Sequence, residues 1–377
     1  MNPQFVFSAP GRTEICGNHT DHQRGAVLAA AVNLETVAEV TLNGTDLIRV
    51  QSEGYAPVEI DLKDLTIHEE EKNTTASLIR GVAAAFAARG AKLQGFDAAV
   101  RSNVLPGSGL SSSAAFEVLI GTICNGLFLD GKLSAVEIAQ IGQWAENVYF
   151  GKPCGLMDQT ASSVGNLVFI DFEDPASPVV EQIDFDFAQA GHALCIIDSG
   201  ADHADLTDEY AAIPGELKKV CAFFGKEVLR QIPEAEFFAA LPRLRGQVPD
   251  RAILRAIHFY QENKRVFRQK DALKKGDFEE FLKITCESGR SSWMYLQNIT
   301  PAGAVEQQAV AVALAMCDTL LAGRGAYRVH GGGFAGTVQA FVPMDMLEQF
   351  KADIEKVLGE GSCHVLNIRP EGGIRVK

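Results

Sequence analysis

Three glycine-bearing segments hold most of the side chains in this sequence that could do chemistry. The first runs Ala9-Pro10-Gly11-Arg12 and then Gly17-Asn18-His19-Thr20-Asp21-His22. Short polar residues between apolar runs, close to an early strand, suit a ligand loop. His19 and Asp21 stand two apart, so they can face the same way and hydrogen-bond adjacent hydroxyls of a polyol. A polar hairpin turn accounts for the same residues without any ligand.

The second segment is Pro106-Gly107-Ser108-Gly109-Leu110-Ser111-Ser112-Ser113-Ala114-Ala115. It feeds a flexible loop into a helix whose first turn is rich in hydroxyls. Free N–H groups at a helix start form an anion site, and serines add donors or metal ligands. One serine after a glycine turn would be an N-cap; three serines after two glycines point to a ligand. The third segment, His330-Gly331-Gly332-Gly333-Phe334-Ala335-Gly336, lets backbone approach a ligand or another loop closely. A tight turn between helix and strand would use the same residues.

Such loops need a frame. Alternation in Phe5-Val6-Phe7 and from Val37 to Leu42 predicts strands, continued by Ile48 to Gln51 and Val58 to Leu62. Thr74 to Gly90 reads as a helix closed by glycine. Phe96 to Leu105 is strand-like and runs into the second segment, behind which Ser111 to Phe128 and Ser134 to Phe150 have helical period. Ala193 to Asp198 is a buried strand. Beyond Ser199 long charged amphipathic helices dominate, as in Arg251 to Lys274 and Asp277 to Gly289. A strand from Thr337 to Val342, a helix from Met346 to Leu358 and a strand from His364 to Ile368 complete the chain. Strands and helices mixed without strict alternation predict an α+β fold, with one domain over residues 1–199 and another over 200–377.

The chain has 377 residues, 47% of them hydrophobic, which allows two packed domains. Its 34 Lys and Arg against 48 Asp and Glu leave a net charge of −14. Duplex nucleic acid would need a strong basic patch to overcome that charge, and the sequence has none. Small anions need only backbone N–H nests, a few arginines and a divalent metal. Eight cysteines stand singly, without a CxxC pair, and read as reduced thiols. No apolar run approaches the roughly 18 residues of a membrane span, and residues 1–10 lack the features of a signal peptide. A cytoplasmic monomer without membrane or nucleic-acid partners is expected.

Other signatures fail. No Gly-Lys is followed by Ser or Thr, as a Walker loop requires, and Ser112 stands where a dinucleotide fingerprint wants glycine. The HRD and DFG signatures of protein kinases are absent. His330-Gly331-Gly332-Gly333 is similar to a lipase oxyanion loop, but no GxSxG elbow accompanies it.

Taken together and in this order, the three segments resemble those of the GHMP kinases, and most closely of galactokinases. That family carries an APGR…GEHTDY segment, a PxGxGLSSSA phosphate loop and a C-terminal GGGFGG loop. Its PCGIMDQ segment reads here Pro153-Cys154-Gly155-Leu156-Met157-Asp158-Gln159, and the likeness extends from about Phe7 to the C-terminus. The resemblance implies a ribosomal-S5-like N-terminal domain, a ferredoxin-like C-terminal domain and an active site in the cleft between them. It implies ATP and Mg2+, a sugar acceptor phosphorylated on its anomeric 1-hydroxyl, and specific roles. Asp158 resembles the catalytic carboxylate and Arg12 the arginine paired with it. Pro106, Gly107, Ser108, Gly109, Leu110, Ser111, Ser112 and Ser113 would cradle the triphosphate, and Ser112, Ser113 and Glu146 would hold the metal. Asn18, His19, Asp21, Gly155 and Tyr210 would face galactose.

Four departures stand out. Galactokinases have Glu at the position of Asn18, expected to meet the sugar's 6-hydroxyl, and usually Tyr at that of His22. Thr75-Ala76-Ser77 replaces a Trp-containing stretch that flanks adenine, and Ala335 replaces a glycine. A galacturonate carboxylate facing Glu would meet a repulsion of about 1 kcal/mol in water-like surroundings and roughly 4 at an effective dielectric near 20. Asn18 removes it, Arg24 could pair with a uronate, and Asp21-His22-Gln23 resembles the Asp-His-Gln of plant-type galacturonokinases, so galacturonate is an alternative acceptor and Asn18→Glu should favour galactose. An alternative of another class is a catalytically impaired galactose sensor, against which the presence of Arg12, Asp158 and the serine loop counts.

Overall fold

The structure, a computed structural model, describes residues 5–105, 107–201, 206–334 and 336–377. Among these, strands β1 (Phe5–Cys16), β2 (Ala26–Leu42), β3 (Leu47–Ser52), β4 (Val58–Asp61), β5 (Phe96–Ser102), β6 (Leu167–Asp171) and β7 (Val179–Ile183) lie in one sheet. A second sheet holds β8 (His192–Asp198), β9 (Ala326–His330), β10 (Thr337–Pro343) and β11 (Cys363–Leu366), while β12 (Ile374–Arg375) returns to the first. The helices are α1 (Thr75–Ala88), α2 (Ser112–Phe128), α3 (Ala135–Ala145), α4 (Met157–Val164), α5 (Thr207–Phe223), α6 (Glu234–Leu244), α7 (Asp250–Lys275), α8 (Phe278–Ser291), α9 (Ala309–Leu321) and α10 (Leu347–Leu358).

The first sheet runs β12-β1-β2-β5-β3-β4, with β6 also on β2 and β7 on β6. β2 reaches so many partners because it is long. Its first residues pair with β6 and its last with β5, both antiparallel. Alternating apolar residues such as Phe7, Ala38, Val40, Phe96 and Val100 turn one face toward α1, α2 and α3, where Val82, Phe86, Leu119 and Ile123 complete a dry core. The second sheet runs β11-β8-β10-β9 and packs α9 and α10 against Cys195, Ile197, Val338 and Val342. A third cluster joins the sheets: Ile15, Leu28 and Phe169 from the first meet Leu194, Ile196 and Phe341 from the second over Val266 and Phe281 of α7 and α8.

The stretches expected to be helix or strand from Phe5 through Phe128, and near the C-terminus, fall in elements of that type, most with ends shifted by a few residues, but β1 runs on past Phe7 to Cys16 and β2 begins at Ala26, well before Val37. Two further features differ. The helix expected to run on to Phe150 stops at Ala145 and continues as a wider π-turn, Glu146–Phe150. Sheet membership also changes before β8 rather than at residue 200, and β12 brings the last residues back to β1. The change of texture near Ser199 marks where charged surface helices begin; hydrogen-bond pairing between distant strands leaves no such mark in composition.

Candidate active site

β1 is irregular between Pro10 and Arg12 and again between Glu14 and Cys16. Such bulges bend a strand and re-aim its side chains. Here the backbone is also crowded, since a Cβ on Gly11 would lie 2.9 Å from Val104 Cγ1 and 3.0 Å from the Leu110 carbonyl oxygen. Arg12 N–H donates to that carbonyl at 2.9 Å. The strand is thereby tied to the loop that precedes α2.

Arg12 and Asp158, 146 residues apart, form a forked pair: Nε donates to Oδ1 at 2.7 Å and Nη2 to Oδ2 at 2.5 Å. Nη1 donates to the Gly109 carbonyl, so the guanidinium bridges the carboxylate and the loop. Ser111 Oγ donates to Asp158 Oδ2 at 2.8 Å. Burial works against the charge on Asp158, but Arg12 and the Ser111 hydroxyl outweigh it and hold its pKa below the usual range. Burial likewise opposes the Arg12 cation, and Asp158 overcomes it and raises its pKa. Both stay charged at neutral pH.

The loop ahead of α2 is held open by left-handed backbone at Gly107 (φ 75°) and Gly109 (φ 72°), with Ser111 at φ 56° just before the helix. Ser111 spends its hydroxyl on Asp158 and does not cap the helix. The start of α2 is therefore left without a side-chain cap, and Ser112 and Ser113 of its first turn border the adjoining cavity.

That cavity, about 470 Å³, is bordered by Arg12, Asn18, His19, Asp21, Gly107, Gly109, Ser111, Ser112, Ser113, Glu146, Gly155 and Asp158. Gly331 and Gly332 line it as well, so four segments far apart in sequence meet on one space. Gly155 is the closest join, because any Cβ there would collide with Asp21 Oδ2. Burial, reinforced by His22, lowers the His19 pKa to about 4, so its ring is neutral, and Nε2 lies 3.1 Å from the Gly332 carbonyl oxygen. A second cavity, about 450 Å³, shares Ser112 and Ser113 and is walled by Tyr55, Leu78, Phe116 and Phe150. Thr75 borders it as well, so the segment Thr75-Ala76-Ser77 does reach this space, with the aromatic walls coming from elsewhere.

Several expected site residues stand differently. Ser108 and Leu110 are buried beneath the loop, with Ser108 Oγ on the Leu105 carbonyl at 2.7 Å. Pro106 and Ala335 lie outside the described residues. Tyr210 does not border the cavity; its hydroxyl donates to the Gly333 carbonyl at 2.9 Å and its ring packs edge-on against Phe334, supporting the third loop from behind. Arg24 points instead to Glu227, 3.5 Å away.

Asn18 borders the cavity but its amide is spent within the protein. Nδ2 donates to the Gly331 carbonyl at 2.6 Å and to Glu14 Oε1 at 3.2 Å, while Oδ1 accepts from Asn298 Nδ2 at 2.9 Å and from Ser292 Oγ at 3.4 Å. The expectation that Asn18→Glu would tune sugar choice must change accordingly. A carboxylate here would face Glu14, itself buried, with burial raising its pKa against the pull of Arg328. Asn18→Glu should cost roughly 1 to 4 kcal/mol of stability, read as a lower urea midpoint, and leave the galactose-to-galacturonate ratio of kcat/KM unmoved.

Residues that spacing did not single out complete the surroundings. Glu262 is fully buried on α7 and takes the Ser288 hydroxyl at 2.6 Å, Arg265 Nε at 2.7 Å and the Gly17 N–H at 3.2 Å, anchoring the start of the first loop. Gln159 Nε2 donates to both Glu117 and Glu146, each at 2.9 Å. The position of Gln159 next to Asp158 was the only hint of this; nothing in sequence tied Glu117 or Glu262 to the loops.

The architecture recurs in solved structures. Galactokinase from Lactococcus lactis, complexed with galactose, superposes with a TM-score of 0.81 at 23% identity, covering 98% of this chain and 94% of that one. Mevalonate kinase from Methanococcus jannaschii superposes at 0.67 with 15% identity, covering 97% and 98%. The fold is that of the two-domain GHMP kinases, and residues 77–166 match the GHMP kinases N terminal domain. Residues 1–42 match the galactokinase galactose-binding signature. Galactokinase from Streptomyces coelicolor is 32% identical over 382 residues, covering 99% of this chain and 94% of that protein. The chain belongs to the galactokinase family.

Proposed function

We propose that this protein transfers the terminal phosphoryl group of ATP to the anomeric 1-hydroxyl of galactose. The observation that carries the reading is the forked Arg12–Asp158 pair, set between the galactose-binding segment and a serine-rich helix start on one cavity. The triphosphate lies along Gly107 to Ser113, and the base occupies the aromatic cavity behind Ser112 and Ser113. His19 and Asp21, with Gly155 against Asp21, receive the sugar hydroxyls. Phosphoryl transfer asks mainly for alignment and charge stabilisation. Asp158, ionised and clamped, orients the 1-hydroxyl and draws its proton, while Arg12 steadies charge developing on the transferred group.

Magnesium fits the donors present. Glu146 is buried at the cavity wall, with Oε2 on Gln159 and Oε1 only loosely paired, 3.8 Å from Lys152 Nζ. Among the described residues no cluster of three acidic, His or Cys side chains gathers as a metal cage. Mg2+ needs none, since one or two carboxylates, hydroxyls, substrate phosphates and waters suffice. Ser112, Ser113 and Glu146 would hold it, and it would neutralise phosphate charge.

The family membership favours galactose, and the uronate alternative loses its main support because the Asn18 amide is spent within the protein; Arg24 lies nearest Glu227, and the Asp21-His22-Gln23 run remains as its other ground. The eight cysteines are unpaired, as the thiols of a chain acting in the cytoplasm would be; among the described residues no helix is long and apolar enough to cross a membrane. The division into two domains near residue 200 accords with the two sheets, provided β8 is counted with the second. Steady ADP release over galactose, galacturonate, arabinose and N-acetylgalactosamine tests the reaction. Turnover fastest on galactose supports it; sugar binding without ADP release would mean a sensor. Tyr55 is two-thirds exposed, so Tyr55→Ala should fold normally. If the base stacks there, the KM for ATP should rise about 5-fold or more with the galactose KM unchanged, as initial-rate kinetics would read.

A further inference from the structure

One buried histidine between the two substrate loops has no part in the chemistry above. His330 ends β9 and is only 2% exposed. The main-chain N–H of Glu14 reaches its Nε2 at 3.2 Å, and Thr13 Oγ1 lies 3.0 Å from the same nitrogen. A backbone N–H can only donate, so Nε2 accepts and the ring proton sits on Nδ1. Thr13 Oγ1 already accepts from Gln339 Nε2 at 3.0 Å, which leaves its own proton for His330. On the other side Nδ1–H donates to Thr337 Oγ1 at 2.8 Å, and Thr337 donates onward to the Ser108 carbonyl at 3.3 Å.

Every link in this chain has one consistent direction. It starts on β1, next to Arg12, and ends in the phosphate loop, next to Gly109, whose carbonyl takes the third bond of Arg12. Burial, together with the charges of Arg12 and Arg328, pushes the His330 pKa well below its ordinary value, so the ring stays a neutral donor–acceptor at working pH. A ring proton on Nε2 would instead face the Glu14 N–H and break the bridge.

We propose, resting on the reaction assigned above, that His330 is a positioning residue that sets the spacing between the sugar strand and the phosphate loop. His330, Thr337 and Ser108 do not line the cavity; Glu14 does, but the bridge takes only its main-chain N–H, and each loop carries its own ligand groups. What the bridge adds is the relation between them. Transfer requires the attacking oxygen within about 3–3.5 Å of phosphorus and in line with the leaving group, and a displacement near 1 Å costs on the order of 10²-fold in rate.

Three variants cut the bridge at different places. His330→Gln keeps an acceptor for the Glu14 N–H and loses the bond to Thr337. His330→Asn keeps a donor to Thr337 and loses Glu14. Thr337→Val leaves the histidine and severs the link to Ser108. Each should lower kcat about 10- to 100-fold. Calorimetry should find the dissociation constants for galactose alone and for a non-hydrolysable ATP analogue alone within about 3-fold of the parent. Loss of stability with normal kcat per folded molecule would make the histidine merely structural and overturn the proposal. So would parent-like kcat in all three variants, or a tenfold loss of either affinity. A parent that phosphorylates no sugar would sink the assigned reaction and this inference together; an active parent with unmoved variants sinks only the inference.

Discussion

Asp158→Asn is expected to lower kcat by about 10²-fold or more while ATP and galactose still bind. The substitution keeps the size of the side chain and a partner for Arg12 Nε. It removes the negative charge that draws the proton of the 1-hydroxyl and that balances Arg12, now within reach of Asp158 through both oxygens. Some stability should be lost too, because breaking a buried pair leaves an unmatched charge; with the Asp158 side chain 30% exposed, solvent reduces that loss. Single-turnover rates and calorimetry on the folded variant separate the two effects. The acid side of the profile follows as well. The folded pKa of Asp158 lies below the usual carboxylate value, so its contribution is complete above that value and fades only as pH falls through the lower, folded pKa. Near-normal turnover in Asp158→Asn would remove the residue from the mechanism.

Gly109→Val is expected to reduce ATP affinity by about 100-fold or more while galactose binding survives. Gly109 sits at φ 72°, where a β-branched residue is strained by about 1–3 kcal/mol. A Cβ there would also stand 3.0 Å from His330 Nδ1 and 3.2 Å from Thr337 Oγ1. Neither neighbour can retreat easily, since each is hydrogen-bonded to the other. The loop would therefore move, and its carbonyl would leave Arg12 Nη1. Because every 1.4 kcal/mol is tenfold in binding, strain and displacement together reach the stated loss. Equal loss of sugar and nucleotide binding would point to misfolding instead.

The local order of residues carried a large share of this protein. Period-two and period-3.6 patterns placed β1, α1, α2, α7 and β10, because a strand or helix that buries one face must repeat its apolar residues at that period. Glycines followed by serines marked the start of α2 as a ligand loop, and the order of four motifs identified the family. Those signals are written along the chain. Left-handed backbone such as that at Gly107 and Gly109 favours glycine, whatever packs against it.

What crosses the chain was decided by tertiary structure alone. Asn18 looked free to read a sugar, yet Asn298 and Gly331, some 300 residues away, consume its amide. Tyr210 turned from the cavity because the Gly333 carbonyl and Phe334 lie behind it. Glu262 carried no signal in the sequence and His330 only its place beside three glycines, until folding buried them against Gly17 and Glu14. A side chain's hydrogen-bond partners depend on which backbone the packed core brings within 3 Å, and a buried polar group must take those partners or bear the full cost of losing water. Residue type sets what a group can donate or accept. Only the fold sets to whom.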